Sequence, residues 1–250
     1  MDEYKCKNFN DFLKKSSDYC HGSKFVIFRG QPCSKFQLLP TLARMRRDLN
    51  FSVGLRKLEL KLFSEFHRLC HMHIDGIPSP QQNQLEELTI ARHYGLPTRL
   101  LDWSSNPLAA LWFACSSENG DVSNQSDPVV WLHHLKKDFE EDVVKETTWK
   151  KPFDVDKTII FKPKHITPRI AAQAGWFSLH KMNEKGYIVA LDDDEGYADS
   201  LMKIIIPHTE VSKILKELNI LHVNSSTLLP DIEGVIKHIP WNVLNNFHLQ

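Results

Sequence analysis

Several signatures of common enzyme classes are missing from this 250-residue chain. There is no G-x-S-x-G, no P-loop and no G-x-G-x-x-G, which argues against the common serine hydrolases, P-loop NTPases and Rossmann dehydrogenases. There is no net charge either: 31 basic residues balance 31 acidic ones. Bulk electrostatics therefore favour neither tight non-specific binding to nucleic acid nor a polybasic membrane anchor. No apolar run approaches the roughly 20 residues that span a bilayer, and Met1-Asp2-Glu3-Tyr4-Lys5 is not the basic-then-apolar start of a secretory signal. The 5 cysteines form an odd set without framework spacing, which suits free thiols in a reducing compartment. A cytoplasmic protein with no membrane contact is expected. No repeat, low-complexity tract or compositional break marks a linker, and 42% hydrophobic content is ample for a core. One domain over residues 1–250 is expected, with its core at about 22–240.

What is present is a set of patterned segments. Residues 8–17 read as a short amphipathic helix with Phe9, Phe12 and Leu13 on one face. Lys24 to Gly30 reads as a strand that stops at glycine, and residues 31–40 as a loop. Leu58, Leu62, Phe66 and Leu69 recur at helical spacing over Leu55–His73, and Ile77-Pro78-Ser79-Pro80 breaks that helix. A second helix runs from Gln84 to Tyr94, stopped by Gly95 and Pro97. Asn106-Pro107 is a strong helix start, with Leu108, Leu111, Trp112 and Cys115 expected deep in the core. A polar loop follows over Glu118–Asp127, and residues 136–157 look like a charged surface excursion. Strands are expected at 128–133, 158–161, 175–180, 187–191 and 201–206, and helices at 210–218 and 229–238. Helices gather in the first half and strands in the second, which favours an α+β fold with a mixed or antiparallel sheet.

Three separated segments place charge beside a turn-former within apolar surroundings: Phe28-Arg29-Gly30-Gln31, His93 to Trp103, and Leu229 to Gly234. A half-buried charge is costly unless paired, so such groups are bonded to one another or reserved for a ligand. Arg29 ends an apolar strand, and its planar fork suits phosphate; a salt bridge to Asp102 is the structural alternative. Gly30 lets either a ligand or another backbone come close. Ser104, Ser105 and Asn106 lead into a helix start, whose free N–H groups favour an anion; plain capping explains the same residues. Arg99 and Asp102 can pair with each other. Asp231 and Glu233 stand where the helix dipole favours carboxylates, and either can also serve as a base or bind a ribose hydroxyl. His67, Cys70, His71 and His73 form the densest donor cluster, yet zinc-finger spacing and H-E-x-x-H are missing, so no metal is expected.

Together these segments resemble the FRG domain family. The likeness is carried by Phe28-Arg29-Gly30-Gln31, by Leu38-Leu39-Pro40-Thr41-Leu42 and by the long block from Ala91 to Ala114. Arg169-Ile170-Ala171-Ala172-Gln173-Ala174-Gly175-Trp176-Phe177 and Leu229-Pro230-Asp231-Ile232-Glu233-Gly234 are similar to its later motifs. The order of Phe28-Arg29-Gly30, then Ser104-Ser105 before a helix, then a late Glu233 also resembles arginine-type ADP-ribosyltransferases. Asp102-Trp103-Ser104-Ser105 replaces their Ser-Thr-Ser, and Asp231-x-Glu233 replaces their Glu-x-Glu or Gln-x-Glu. The resemblance implies an ADP-ribosyltransferase-like fold and NAD as substrate, with transfer to protein or nucleic acid, or hydrolysis of NAD by water. In that scheme Glu233 and Arg29 are catalytic, and Arg29, His93, Tyr94, Arg99, Asp102, Ser104 and Ser105 hold the dinucleotide. The setting it implies is a prokaryotic toxin or antiviral defence effector with an antitoxin or a phage-derived trigger as partner. The alternative is a non-catalytic module recognising a phage protein or nucleic acid, with Arg29, Arg99 and Asp102 forming a buried polar lock.

Overall fold

The computed structural model describes residues 2–21, 25–48, 54–70, 73, 83–116, 126–135, 146–164 and 167–245. The proline break at 77–80, His71, residues 118–125 of the expected polar loop and residues 136–145 of the expected excursion lie outside these.

The strands are β1 (Asp2–Lys5), β2 (Val26–Gln31), β3 (Leu100–Ser104), β4 (Val129–His134), β5 (Ile159–Phe161), β6 (Gly175–Leu179) and β7 (Leu201–Ile205). They form one seven-stranded sheet in the order β1-β7-β4-β2-β3-β6-β5. Neighbours are antiparallel except β1 and β7, which run parallel, so the sheet is mixed as expected. Every residue of β6 and all but the last of β4 are buried, which fits their unbroken apolar runs.

The middle of the sheet is where it is weakest. β2 pairs with β4 over six residues and β3 with β6 over five, whereas β2 and β3 meet in register only at Phe28 and Ser104. Two well-laddered halves therefore part just beyond Phe28. An opened ladder leaves carbonyls that need other donors. Arg29 supplies one: its Nη1 donates to the Asp102 carbonyl at 2.5 Å.

The helices are α1 (Phe9–Cys20), α2 (Thr41–Asp48), α3 (Leu55–Cys70), α4 (Gln84–His93), α5 (Pro107–Cys115), α6 (Glu146–Lys150), α7 (Pro168–Ala172), α8 (Val211–Ile220), α9 (Ser225–Leu228) and α10 (Ile232–Leu244). Asn8, Asn83 and Asn106 cap α1, α4 and α5 with their side chains. Gly95 follows α4 with φ +90°, a conformation that favours glycine. α5 lies against β2. A Cβ on Gly30 would run into the Ala110 carbonyl and the Ala114 amide, so this glycine admits a helix backbone. Among the described residues no helix is long and apolar enough to cross a membrane.

Some expected elements need correction. Leu111 is fully buried in α5, as are Ala109, Ala110 and Ala114, but Leu108, Trp112 and Cys115 are only partly covered. α5 is apolar on every side, so its periodicity selects no face; the close approach to Gly30 selects the alanines. Residues 187–191 form no strand. They hold one bridge, Met182 to Ile188, and a bond from Leu191 N to the Leu38 carbonyl, while Ile188 and Ala190 pack on Leu39, Leu42 and Leu55. Apolar anchoring there does not require a ladder. The described part of the excursion is not all surface: Phe153 is buried and packs its ring on Phe63 at 5.2 Å.

Candidate functional site

The split between the sheet halves opens into a cleft of about 430 Å³ whose charged lining comes from distant parts of the chain. Arg29 enters from β2, Arg44 from α2, Arg92 from the last turn of α4 and Asp102 from β3. Arg92 binds the Asp102 carboxylate through Nη2 at 2.6 Å and Nε at 3.2 Å, and its Nη1 donates to Thr41 Oγ1 at 3.3 Å. Arg29 Nη1 lies 3.6 Å from Asp102 Oδ2. The Arg29 and Arg92 side chains are 14% and 18% exposed, against 41% for Asp102. Arg44 Nη2 donates to Thr41 Oγ1 at 3.0 Å.

Three guanidinium groups thus face one carboxylate. Recession from solvent pushes the Asp102 carboxyl up, but Arg92 and Arg29 outweigh it and hold the group below its ordinary range. Burial pulls the Arg29 guanidinium down to about 10; Asp102 restores part of this, and Arg92 and Arg44 add to the fall. Arg29 stays cationic at neutral pH, and among the described residues its buried Nε has no hydrogen-bond partner. A buried charged donor left unsatisfied is costly and marks a place for an acceptor.

A second cleft of about 760 Å³ adjoins the first and shares His93, Gly95 and Arg169 with it. Tyr94, Asp231 and Glu233 line this side. Thr167 caps α7, which carries Arg169. Arg169 pairs with Asp231 through Nε and with Glu233 through Nη2 at 3.2 Å. Asp231 in turn caps α10, accepting from Gly234 N at 3.0 Å. A Cβ on Gly234 would clash with the Leu229 and Ser225 carbonyls, so the start of α10 sits tightly on α9. Gln173 Nε2 donates to the Leu228 carbonyl at 3.0 Å, and Ser104 Oγ to the Gln173 carbonyl at 2.6 Å. One chain of contacts thereby links β3, α7, α9 and α10. Burial lowers the His93 imidazole, with Arg169 acting the same way, so His93 is neutral at pH 7.

Of the expected site residues, Arg29, His93, Asp102 and Ser104 line the first cleft. His93, Tyr94 and Glu233 line the second. The Tyr94 ring is 62% exposed and meets His93 edge-on, with centroids 5.0 Å apart. Ser105 lines neither, and its Oγ points to the Ala174 carbonyl at 3.4 Å. Arg99 needs correction: it is fully buried and pairs with buried Glu59, Nε lying 2.9 Å from both carboxylate oxygens. Its Nη1 also reaches the Phe153 carbonyl at 3.3 Å. Arg99 lines neither cleft and pairs with Glu59 rather than Asp102, so the lock expected from Arg29, Arg99 and Asp102 is instead built with Arg92. His67 of the histidine cluster bonds Glu87 Oε1 at 2.8 Å.

Sequence reasoning missed Arg44, Arg92 and Arg169 as site residues. Arg92 and Arg169 stood within quoted motifs, Arg92 directly before His93 at a helix end. Arg44 gave no signal, because an arginine in an amphipathic stretch is ordinarily a solvated face.

Four arginines line the central cleft; Arg169 is committed to Asp231 and Glu233, which leaves Arg29, Arg44 and Arg92 as three positive charges against the one negative charge of Asp102. The excess of two equals the charge of a pyrophosphate diester, and guanidinium forks are the matching donors. No curated protein and no solved structure matches the chain. Residues 24–122, which carry Arg29, Arg44, Arg92, His93, Asp102 and Ser104, match the family model described as FRG domain.

Proposed function

We propose that the protein is an ADP-ribosyltransferase-like enzyme that consumes NAD, serving as a toxin or an anti-phage effector. The observation that carries this reading is the cleft of Arg29, Arg44 and Arg92, with its excess positive charge and unpartnered Arg29 Nε, beside a second cleft that holds Glu233. Arg29, Arg44 and Arg92 hold the pyrophosphate. Neutral His93, lining both clefts, offers a hydrogen bond near the reacting ribose without adding charge. Glu233 stabilises the positive charge that develops on that ribose as its bond to nicotinamide breaks. The bonding pair leaves with nicotinamide. A lone pair of the acceptor, a protein or nucleic-acid group or water, forms the new bond, and the acceptor's proton passes to solvent. The toxin or defence role rests on the FRG match together with the ADP-ribosyltransferase-like order of motifs.

A non-catalytic binding module is the second reading, favoured by the Arg169 clamp on both Asp231 and Glu233. Nicotinamide release by wild type and by Glu233→Gln, measured beside thermal melts, separates the two. The enzyme reading expects the substitution to cut turnover by about 10² or more, as when one strong electrostatic contact to a transition state is lost, with NAD affinity retained. Equal turnover in the two proteins removes Glu233 from the mechanism. No turnover by wild type, with phage and host acceptors supplied, selects the binding module.

A further inference from the structure

The arginine cleft has a second neighbour, of opposite chemistry to the Glu233 side. This is a hollow of about 580 Å³ bounded by Trp112 and Phe113 of α5, Leu215 and Asn219 of α8, and His238 and Trp241 of α10. Phe113 and Leu229 line both this hollow and the arginine cleft, so the two are continuous. Trp112 and Phe113 meet edge-on at 5.1 Å, and His238 and Trp241 stack at 6.2 Å and 20°. Among the described residues no carboxylate lines the hollow, and its one charged side chain is Lys237. Asn219 Oδ1 takes a hydrogen bond from Asn224 Nδ2 at 3.0 Å, which leaves the Asn219 amide nitrogen as a donor at the wall.

We propose that this aromatic hollow is the subsite for the flat heteroaromatic base of an adenine nucleotide whose phosphates lie on Arg29, Arg44 and Arg92. The proposal rests on reading the arginine cleft as a pyrophosphate site, and it sets the direction of the bound dinucleotide. A base sits one ribose away from its phosphate, so its pocket must adjoin the phosphate site. Two hollows share lining residues with it. One carries Asp231 and Glu233 and suits the ribose that becomes cationic; the other is aromatic and free of acid, and suits a neutral ring. Aromatic faces stack any base, and a side-chain amide donor meets the acceptor nitrogens at a purine edge.

Titration calorimetry on the full chain tests this with inorganic pyrophosphate, ribose 5-diphosphate and ADP. ADP is expected to bind about tenfold or more tightly than ribose 5-diphosphate, the gain that one stacked base supplies. Trp241→Leu, which removes a wall, and Leu215→Trp, which fills the hollow, should each erase that advantage and leave pyrophosphate affinity unchanged. Arg29→Gln should weaken all three probes. If ADP binds no more tightly than ribose 5-diphosphate, or keeps its advantage in both hollow variants, the subsite is wrong while the arginine cleft stands. If pyrophosphate itself does not bind the wild type, the cleft reading falls and the base subsite falls with it.

Discussion

Two arginines from neighbouring motifs take opposite roles, and their surroundings decide which. Arg99 is enclosed with Glu59 and exchanges its charge entirely within the protein. Removing one partner of such a pair leaves a buried charge alone, so Arg99→Ala should cost roughly 3–5 kcal/mol, whereas replacing both with apolar groups should come close to neutral. Urea unfolding of Arg99→Ala beside the double variant Arg99→Met with Glu59→Leu checks this; a double variant as unstable as the single one would deny the pair its purely structural role. Arg29 shares the Asp102 carboxylate with Arg92 and, among the described residues, keeps an unbonded Nε. Arg29→Lys preserves the charge and loses the fork. Pyrophosphate affinity is therefore expected to fall about tenfold or more, the worth of a charge-assisted bond, with a smaller change in stability. Matching losses of affinity and stability would make Arg29 a structural residue too.

At the scale of elements, the site depends on how closely α5 can approach β2. Gly30→Ala places a methyl group against the Ala110 carbonyl and the Ala114 amide, neither of which can yield without moving the helix. The expected cost is about 1–3 kcal/mol or more, seen as a drop of several degrees in Tm, with weaker pyrophosphate binding because Arg29 is the preceding residue. An unchanged Tm would mean that α5 does not bear on the glycine. Most of the described helices and the strands β2, β4, β5, β6 and β7 were legible in the sequence because an asparagine cap, a stopping glycine and apolar patterning are local signals. β3 was not read as a strand, since Leu100-Leu101-Asp102-Trp103-Ser104 puts an aspartate and a serine in the middle of the sheet. That failure falls on the site itself: Asp102 interrupts the pattern because it faces Arg92 and Arg29 rather than a core. β1 escaped notice because Asp2–Lys5 is polar and owes its place to pairing with β7, a partner some 200 residues away. The pairing of Arg99 with Glu59 and the presence of Arg44 in the cleft are likewise set by tertiary contact, which no short window of sequence contains.

Over the whole molecule, the motifs converge because the two halves of the sheet are joined narrowly in the middle, and the buried groups beside that seam set the response to acid. His180 follows β6, and its backbone N–H donates to the Arg99 carbonyl at 3.2 Å. Its Nε2 lies 3.0 Å from Ser178 Oγ, which also accepts from Trp103 Nε1 on β3 at 3.0 Å. Burial pulls its imidazole down to about 3, and the charges of Arg29 and Arg99 push the same way. The unfolded chain takes up this proton below about pH 6.5, whereas the folded chain refuses it until about pH 3. Stability is therefore lost as pH falls through that window, by up to about 1.4 kcal/mol per pH unit from this group. His93, His134 and His238 are also lowered by burial and add to the slope in its upper part. The lowered carboxyls act in a different range: Asp231, held at about 2 by its bond from Arg169, contributes stability above its ordinary value that disappears only as pH falls from 3.8 toward 2. The loss of stability should thus begin near pH 6, above the range in which lowered carboxyls such as Asp231 protonate. Urea titrations between pH 7 and 4 should show a free energy of unfolding that declines with acidity, and His180→Gln, which keeps a polar side chain and cannot titrate, should flatten the decline between pH 6 and 4. A slope unchanged in that variant would place the acid-sensitive group elsewhere and leave His180 able to take its proton within the folded sheet.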